Sequence, residues 1–281
     1  MELGLINSAW FGSSLDPTDA GLRMTKQIGY DTADVLLDPM ETSDQEIERI
    51  RKLGEELHLP FRAATCVSFA LSDFNNVPRA FAVKRVNAHV DLARRLGARN
   101  LVLALGEYYW EHVVIPTKQM RELAVDSLKR IGEYALKQGV TIALEIEPFK
   151  ESIFNTVDGL VSFLADVQCD AVRANVDCSH LWLMRKAGVK PEDIGKLRGR
   201  VAHVHFSDCN GEVHGDLPPG RGNTPLRTYL GELKKAGFDG TISLELEYAP
   251  DPAAIVDWVT EAYRETARMM DELGVRSAKR A

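Results

Sequence analysis

Short apolar runs alternate with longer amphipathic segments along the whole chain, and that alternation limits the fold more than any other feature. The runs fall at residues 3–6, 34–37, 61–65, 100–105, 140–145, 172–177, 201–206 and 241–245. Each has strand length, and 100–105 is almost wholly apolar, as a strand buried on both faces must be. Helix signals lie between them. Asp16-Pro17-Thr18-Asp19 reads as the acidic, proline-bearing first turn of a helix that stops at Gly29. Ser43-Asp-Gln-Glu46 reads as a capping box opening a helix to about Leu57. Further helices are predicted over 80–96, 118–138, 158–167, 224–236 and 252–273, with Gly97, Gly139 and Gly237 as stops. A polar helical region follows Trp182 and breaks near 188–191. Strict alternation predicts a parallel sheet. Eight repeats in 281 residues predict an α/β fold closed into a single (β/α)8 TIM barrel, which takes about 250 residues. An open doubly wound sheet calls for a Gly-x-Gly-x-x-Gly turn after an early strand, and none is present. No composition shift marks a linker, so 1–281 reads as one domain with a frayed basic tail at 276–281.

The net charge of −7 argues against nucleic acid or an anionic membrane as a general partner. Cys66, Cys169, Cys178 and Cys209 are dispersed, with no Cys-x-x-Cys pair. That suits reduced thiols and a cytoplasmic protein better than a disulfide frame. The start, Met1-Glu-Leu-Gly-Leu-Ile6, lacks the basic head and apolar length of a signal peptide. No uncharged apolar run approaches the roughly 18 residues of a membrane span. The expected partner is a small molecule, and a homo-oligomer is left open.

A barrel keeps its chemistry at the C-terminal ends of its strands. Four consecutive strands end in ionisable groups: Glu145-Ile-Glu147-Pro148, Asn175-Val-Asp177-Cys-Ser-His180, His203-Val-His205-Phe-Ser-Asp208 and Glu245-Leu-Glu247. The two-residue period puts His203 and His205 on one strand face. Taken singly, each has a bland reading. A His-x-His is more often a pair of satisfied buried histidines, Asp177 is a helix cap, and Glu147 and Glu247 are surface charges. Together they weigh the other way. Several like charges in a wall of valine and leucine are costly to bury, and a divalent cation among them offsets that cost. Three carboxylates and an imidazole suit Mn2+ first, with Co2+, Mg2+ or Zn2+ as alternatives. Spacing does not choose within either Glu-x-Glu. A glycine- and proline-rich loop at 211–222 follows the seventh strand, a usual place for binding residues.

These motifs resemble those of the xylose isomerase-like barrel superfamily, the sugar isomerase/epimerase group. The matching pieces are Ala143-Leu-Glu145 with Asn155-Thr156, Asn175-Val-Asp177-x-x-His180, His203-Val-His205-Phe-Ser-Asp208, Pro219-Gly-Arg-Gly222, Gly237-Phe-Asp-Gly240 and Ile242-Ser-Leu-Glu245. The pattern is most similar to the ketose 3-epimerases. That resemblance implies a metal held by Glu145, Asp177, His205 and Glu245, with Glu145 and Glu245 as the catalytic acid/base pair and His180 touching substrate. It implies a divalent-metal-dependent sugar isomerase or epimerase, moving a proton alpha to the carbonyl of a keto sugar through an enediolate. Glu147, Lys150, His203, Trp10 and Glu107 are further candidates for substrate contact, and Phe69, Tyr108 and Trp182 for an apolar wall. The chain also departs from the epimerases. Glu147-Pro148-Phe149-Lys150 replaces their Asn and Arg, and Gly211 stands where they carry an arginine, with His214 in a longer loop. The Glu-Pro pair is similar to hydroxypyruvate isomerases, which would make Glu147 the ligand. Relatives that cleave 3-keto glycosides, C-glycosides included, share the site and give a lyase alternative. A non-catalytic sugar-binding or partner subunit is the alternative of another class. An abasic-site endonuclease would need a three-zinc histidine cluster and a basic groove, whereas His58, His89 and His112 fall away from the strand ends.

Overall fold

The computed structural model describes residues 1–105, 115–150, 152–247, 249 and 251–277. Its strands are β1 (Glu2–Ile6), β2 (Thr32–Leu36), β3 (Phe61–Ser68), β4 (Asn100–Leu105), β5 (Thr141–Glu145), β6 (Val172–Asp177), β7 (Val201–His205) and β8 (Thr241–Leu244). They form one closed parallel barrel in sequence order, β8 returning to pair with β1 through Leu3↔Ile242 and Leu5↔Leu244. Around it lie α1 (Ala20–Ile28), α2 (Asp44–Glu56), α3 (Asn76–Leu96), α4 (Thr117–Gln138), α5 (Val157–Val167), α6 (Cys178–Leu183), α7 (Leu226–Lys235) and α8 (Ile255–Glu272). This is the predicted (β/α)8 architecture. Among the described residues no helix is long and apolar enough to cross a membrane.

The core lies between the outer face of the barrel and the helices, where Leu3, Leu5, Leu101, Leu103, Leu144, Val176 and Val204 are all fully buried. The inside of the barrel is built differently. Ala63, Val102 and Ala143, with Ala202 against them, form a small apolar plug. One step nearer the C-terminal ends, the interior turns polar with Asp34, Glu145, Asn175, His203 and Ser243, all buried. Two register irregularities serve this layer. The β2–β3 pairing passes from Ala33↔Phe61 to Asp34↔Ala63, skipping Arg62. Ala63 N–H then donates to the Asp34 carboxylate at 2.9 Å. The β6–β7 pairing likewise passes from Ala174↔Val201 to Asn175↔His203, leaving Ala202 as the extra residue.

Several boundaries differ from expectation. Helix α1 begins at Ala20, because the Asp16 carboxylate accepts from the Thr18 N–H and hydroxyl and folds 16–19 into a turn. Helix α3 begins at Asn76, capped by Asn75, and Pro78 sits in its first turn, where no N–H is needed. The region after Trp182 is α6 followed by two 3-10 turns, Met184–Ala187 and Pro191–Leu197. Of the tail expected to fray at 276–281, residues 276 and 277 are held and 278–281 lie outside the described residues. Met1 N donates to Ser277 Oγ at 2.9 Å, and Arg276 donates to the Tyr263 hydroxyl at 3.1 Å.

Candidate metal centre

Glu145, Asp177 and His205 are the last residues of β5, β6 and β7, and Glu245 directly follows β8. Register sets Asp177 opposite His205. One donor atom from each of the four lies within 4.8 Å of all the others. His205 Nδ1 stands 2.7 Å from Glu145 Oε1 and 3.0 Å from Glu245 Oε2. Neither contact is aligned as a hydrogen bond, and both His205 ring nitrogens are buried without a hydrogen-bond partner among the described residues. Asp177 divides its carboxyl between two tasks. Oδ1 caps α6, accepting from His180 N–H and the Ser179 hydroxyl, each at 2.8 Å. Oδ2 is buried with no hydrogen-bond partner among the described residues. Asn175 Nδ2 donates to Glu145 Oε1 at 2.8 Å and fixes that carboxylate. Three carboxylates and an imidazole that converge while leaving donor atoms unused are the surroundings a divalent ion requires, so the residues present fit one.

The charges are arranged unevenly. Burial works to raise Glu145, but His205, His180 and the Asn175 amide outweigh it and hold the carboxyl at about 2. Burial lifts Glu245 to about 7 against the pull of His205, with Glu145 and Asp177 repelling. Burial also lifts Glu147 to about 7, opposed by His180 and reinforced by Glu145, Glu245 and Asp177. His205 is desolvated, yet Glu245 and Glu145 hold its imidazolium well above the usual range.

The remaining candidates divide. His180 joins the site: its Nδ1 donates to the Ile146 carbonyl at 2.8 Å and lies 4.0 Å from Glu147 Oε2. His203 is fully buried, with Nε2 2.7 Å from Asp34 Oδ2, which also accepts from the Ser243 hydroxyl. Asp34, His203 and His205 form a second group whose donor atoms lie within 4.8 Å of one another, so the polar interior is continuous with the cage. Trp10 is a core residue. Its indole is fully buried, donates to Thr25 Oγ1 at 3.1 Å and packs on Gly21, where a Cβ would come within 2.5 Å of the ring. Lys150 is exposed, Phe69 is 52% exposed, and Trp182 donates to Asn223 Oδ1 at 2.7 Å. Glu107, Tyr108 and His112 lie outside the described residues. Asp34 and Asp216 were not anticipated. Asp34 stands alone on a strand in sequence, and Asp216 is one acid in a polar loop, so neither carries a motif.

The family whose model is described as a xylose isomerase-like TIM barrel matches residues 22–273. An L-ribulose 3-epimerase of Mesorhizobium japonicum is 25% identical over 257 residues, spanning 87% of this chain and 80% of that protein. The structure of the IOLI protein with a zinc atom superposes with a TM-score of 0.83 at 20% identity, over 97% of this chain and 99% of that one. A structure of L-ribulose 3-epimerase gives 0.80 at 23% identity, over 100% and 99%. At these identities the superpositions speak to the fold.

Proposed function

The chain belongs to the xylose isomerase-like TIM-barrel family, and from that premise we propose that it is a divalent-metal-dependent sugar epimerase or isomerase. It would act on a carbon next to the carbonyl of a keto sugar. The observation that carries this reading is the convergence of Glu145 and Glu245 on one imidazole nitrogen at 2.7 and 3.0 Å. Two carboxyl groups brought to one point from β5 and β8 can serve in turn as base and acid. Similarity to an L-ribulose 3-epimerase supports the same assignment.

Glu145, Asp177, His205 and Glu245 would hold the ion, Mn2+ by preference, with Co2+, Mg2+ or Zn2+ as alternatives. The cation, when bound, supplies Lewis-acid polarisation of a carbonyl oxygen. Glu145 would take the proton from carbon, and Glu245, arriving from β8, would return one. Return to the opposite face of the same carbon is epimerisation, and return to the neighbouring carbon is isomerisation. Such acid/base transfer contributes roughly 10²–10⁴-fold. Asn175 keeps Glu145 oriented, and His180, fixed by Ile146 O, presents its Nε2 to a sugar hydroxyl. Dispersed, unpaired cysteines support a cytoplasmic location.

The test is proton exchange. Metal-loaded protein in deuterated water should place deuterium on carbon in a panel of ketopentoses and ketohexoses, and Glu245→Gln should slow this at least about 100-fold. Absence of exchange on every sugar, with metal demonstrably bound, would overturn the reading.

A further inference from the structure

The segment between β7 and α7 carries a polar cluster that proton transfer between Glu145 and Glu245 does not use. His214 Nε2 lies 2.8 Å from His180 Nε2, with the two rings 4.9 Å apart and tilted by 43°. Since a carbonyl only accepts, His180 Nδ1 carries a proton toward Ile146 O. At 2.8 Å the two Nε2 atoms share one proton, so one ring donates and the other accepts. Asp216 Oδ1 lies 3.9 Å from His214 Nε2 and accepts from the Ser207 hydroxyl at 3.0 Å. Asp216 is only 2% exposed, and among the described residues no lysine or arginine pairs with it. The Phe149 ring stands 5.9 Å from His214. One imidazole from α6 and one from the loop thus meet beside Glu147, two residues from a proposed ligand.

We propose that His214 is a specificity-determining residue that captures one substrate hydroxyl together with His180. The inference rests on the sugar-epimerase reading above. A hydroxyl is donor and acceptor at once, so it replaces the contact between the rings without loss. It accepts from the Nε2 that carries the proton and donates to the other. A deoxy carbon does neither, and a methyl ether cannot donate. The substrate therefore presents a free hydroxyl at this point.

Binding, not turnover, tests this. Calorimetry on the metal-loaded protein would compare a bound ketose with its full monodeoxy and mono-O-methyl series. In the native chain one position should show a loss of at least about tenfold for both modifications. In His214→Ala that penalty should shrink below about threefold, and His214→Gln, which keeps a donor, should restore part of it. Equal penalties in native and variant protein would overturn the proposal, as would a second metal equivalent lost in His214→Ala, which would make His214 a ligand. Failure of deuterium exchange in the native chain would count against the epimerase reading and leave this binding pattern intact. Failure of every ketose to bind would overturn both.

Discussion

A cation entering the cage must displace protons, and their number follows from the arrangement of charge. His205 is held as an imidazolium well above its ordinary range by Glu245 and Glu145, yet its nitrogen must be bare to ligate. It should release one proton at any pH between 5 and 8. Glu245, lifted to about 7 by burial, should release a second below that pH and none above. Apparent metal affinity then climbs about a hundredfold per pH unit below 7 and about tenfold per unit above it. From pH 7.5 down to 5.5, the His205 proton accounts for about 100-fold and the Glu245 proton for about 25-fold, roughly 2,500-fold together. Competition with a chelating dye across this range measures the slope, and calorimetry in two buffers counts the protons directly. Glu245→Gln should reduce two protons to one below pH 7. Glu147→Gln should leave two, although Glu147 is also raised to about 7, because a group that does not ligate need not release its proton. A native slope of one or less at pH 5.5–6.5 would refute the reasoning. Loss of a proton in Glu147→Gln in place of Glu245→Gln would transfer the ligand role. The stability of the metal-free fold has a definite sign. Glu147 and Glu245 bind protons more tightly folded than unfolded, so their contribution is present below their ordinary 4.5 and lost as pH rises through about 7. Glu145, lowered to about 2, contributes above 4.5 and loses this as pH falls toward 2.

Asp177→Asn should keep its helix cap, since asparagine caps as well as aspartate, but lower metal affinity at least about tenfold; parallel melting and metal-content measurements check the split. Asp208 accepts from the N–H groups of Cys209, Gly220, Gly222 and Thr224, so Asp208→Ala should cost roughly 3–4 kcal/mol in urea unfolding at about 1 per bond, and a loss under about 1 would contradict the account. Gly222→Ala should also destabilise, because its Cβ would fall 2.2 Å from the Cys209 carbonyl oxygen and 2.3 Å from Asp208 Oδ1. Chelation of a bound ion present at 100 times its Kd should lower unfolding free energy by about 2.7 kcal/mol, read as a fall in Tm.

Much of the barrel could be read from the chain because its cues are local. The strands at 100–105 and 172–177 agree to the residue with β4 and β6, the first as a nearly apolar run and the second as a strict apolar/polar alternation. Ser43 caps α2 through Glu46 N–H as its spacing implied. The cage was legible because four strand ends repeat one placement. Where side chains competed for the backbone, reading failed: Asp16 and Asn75 each redirect a helix start. Contacts distant in sequence left no trace. Asp34 meets His203 across 169 residues, so nothing near His203 showed that a carboxylate already occupied it. Trp10 looked available because loop aromatics often are, but the absence of a side chain at Gly21 lets α1 close over its ring.

Asp177 makes any bound ion a continuation of secondary structure. The oxygen that starts α6 and the oxygen turned to the cage are rigidly joined, so a cation of larger radius would shift the first turn of that helix. His180, three residues along, would travel with it. On the proposed ligand set, metal preference and sugar preference would be geared together, and a change of ion would resettle the substrate as well.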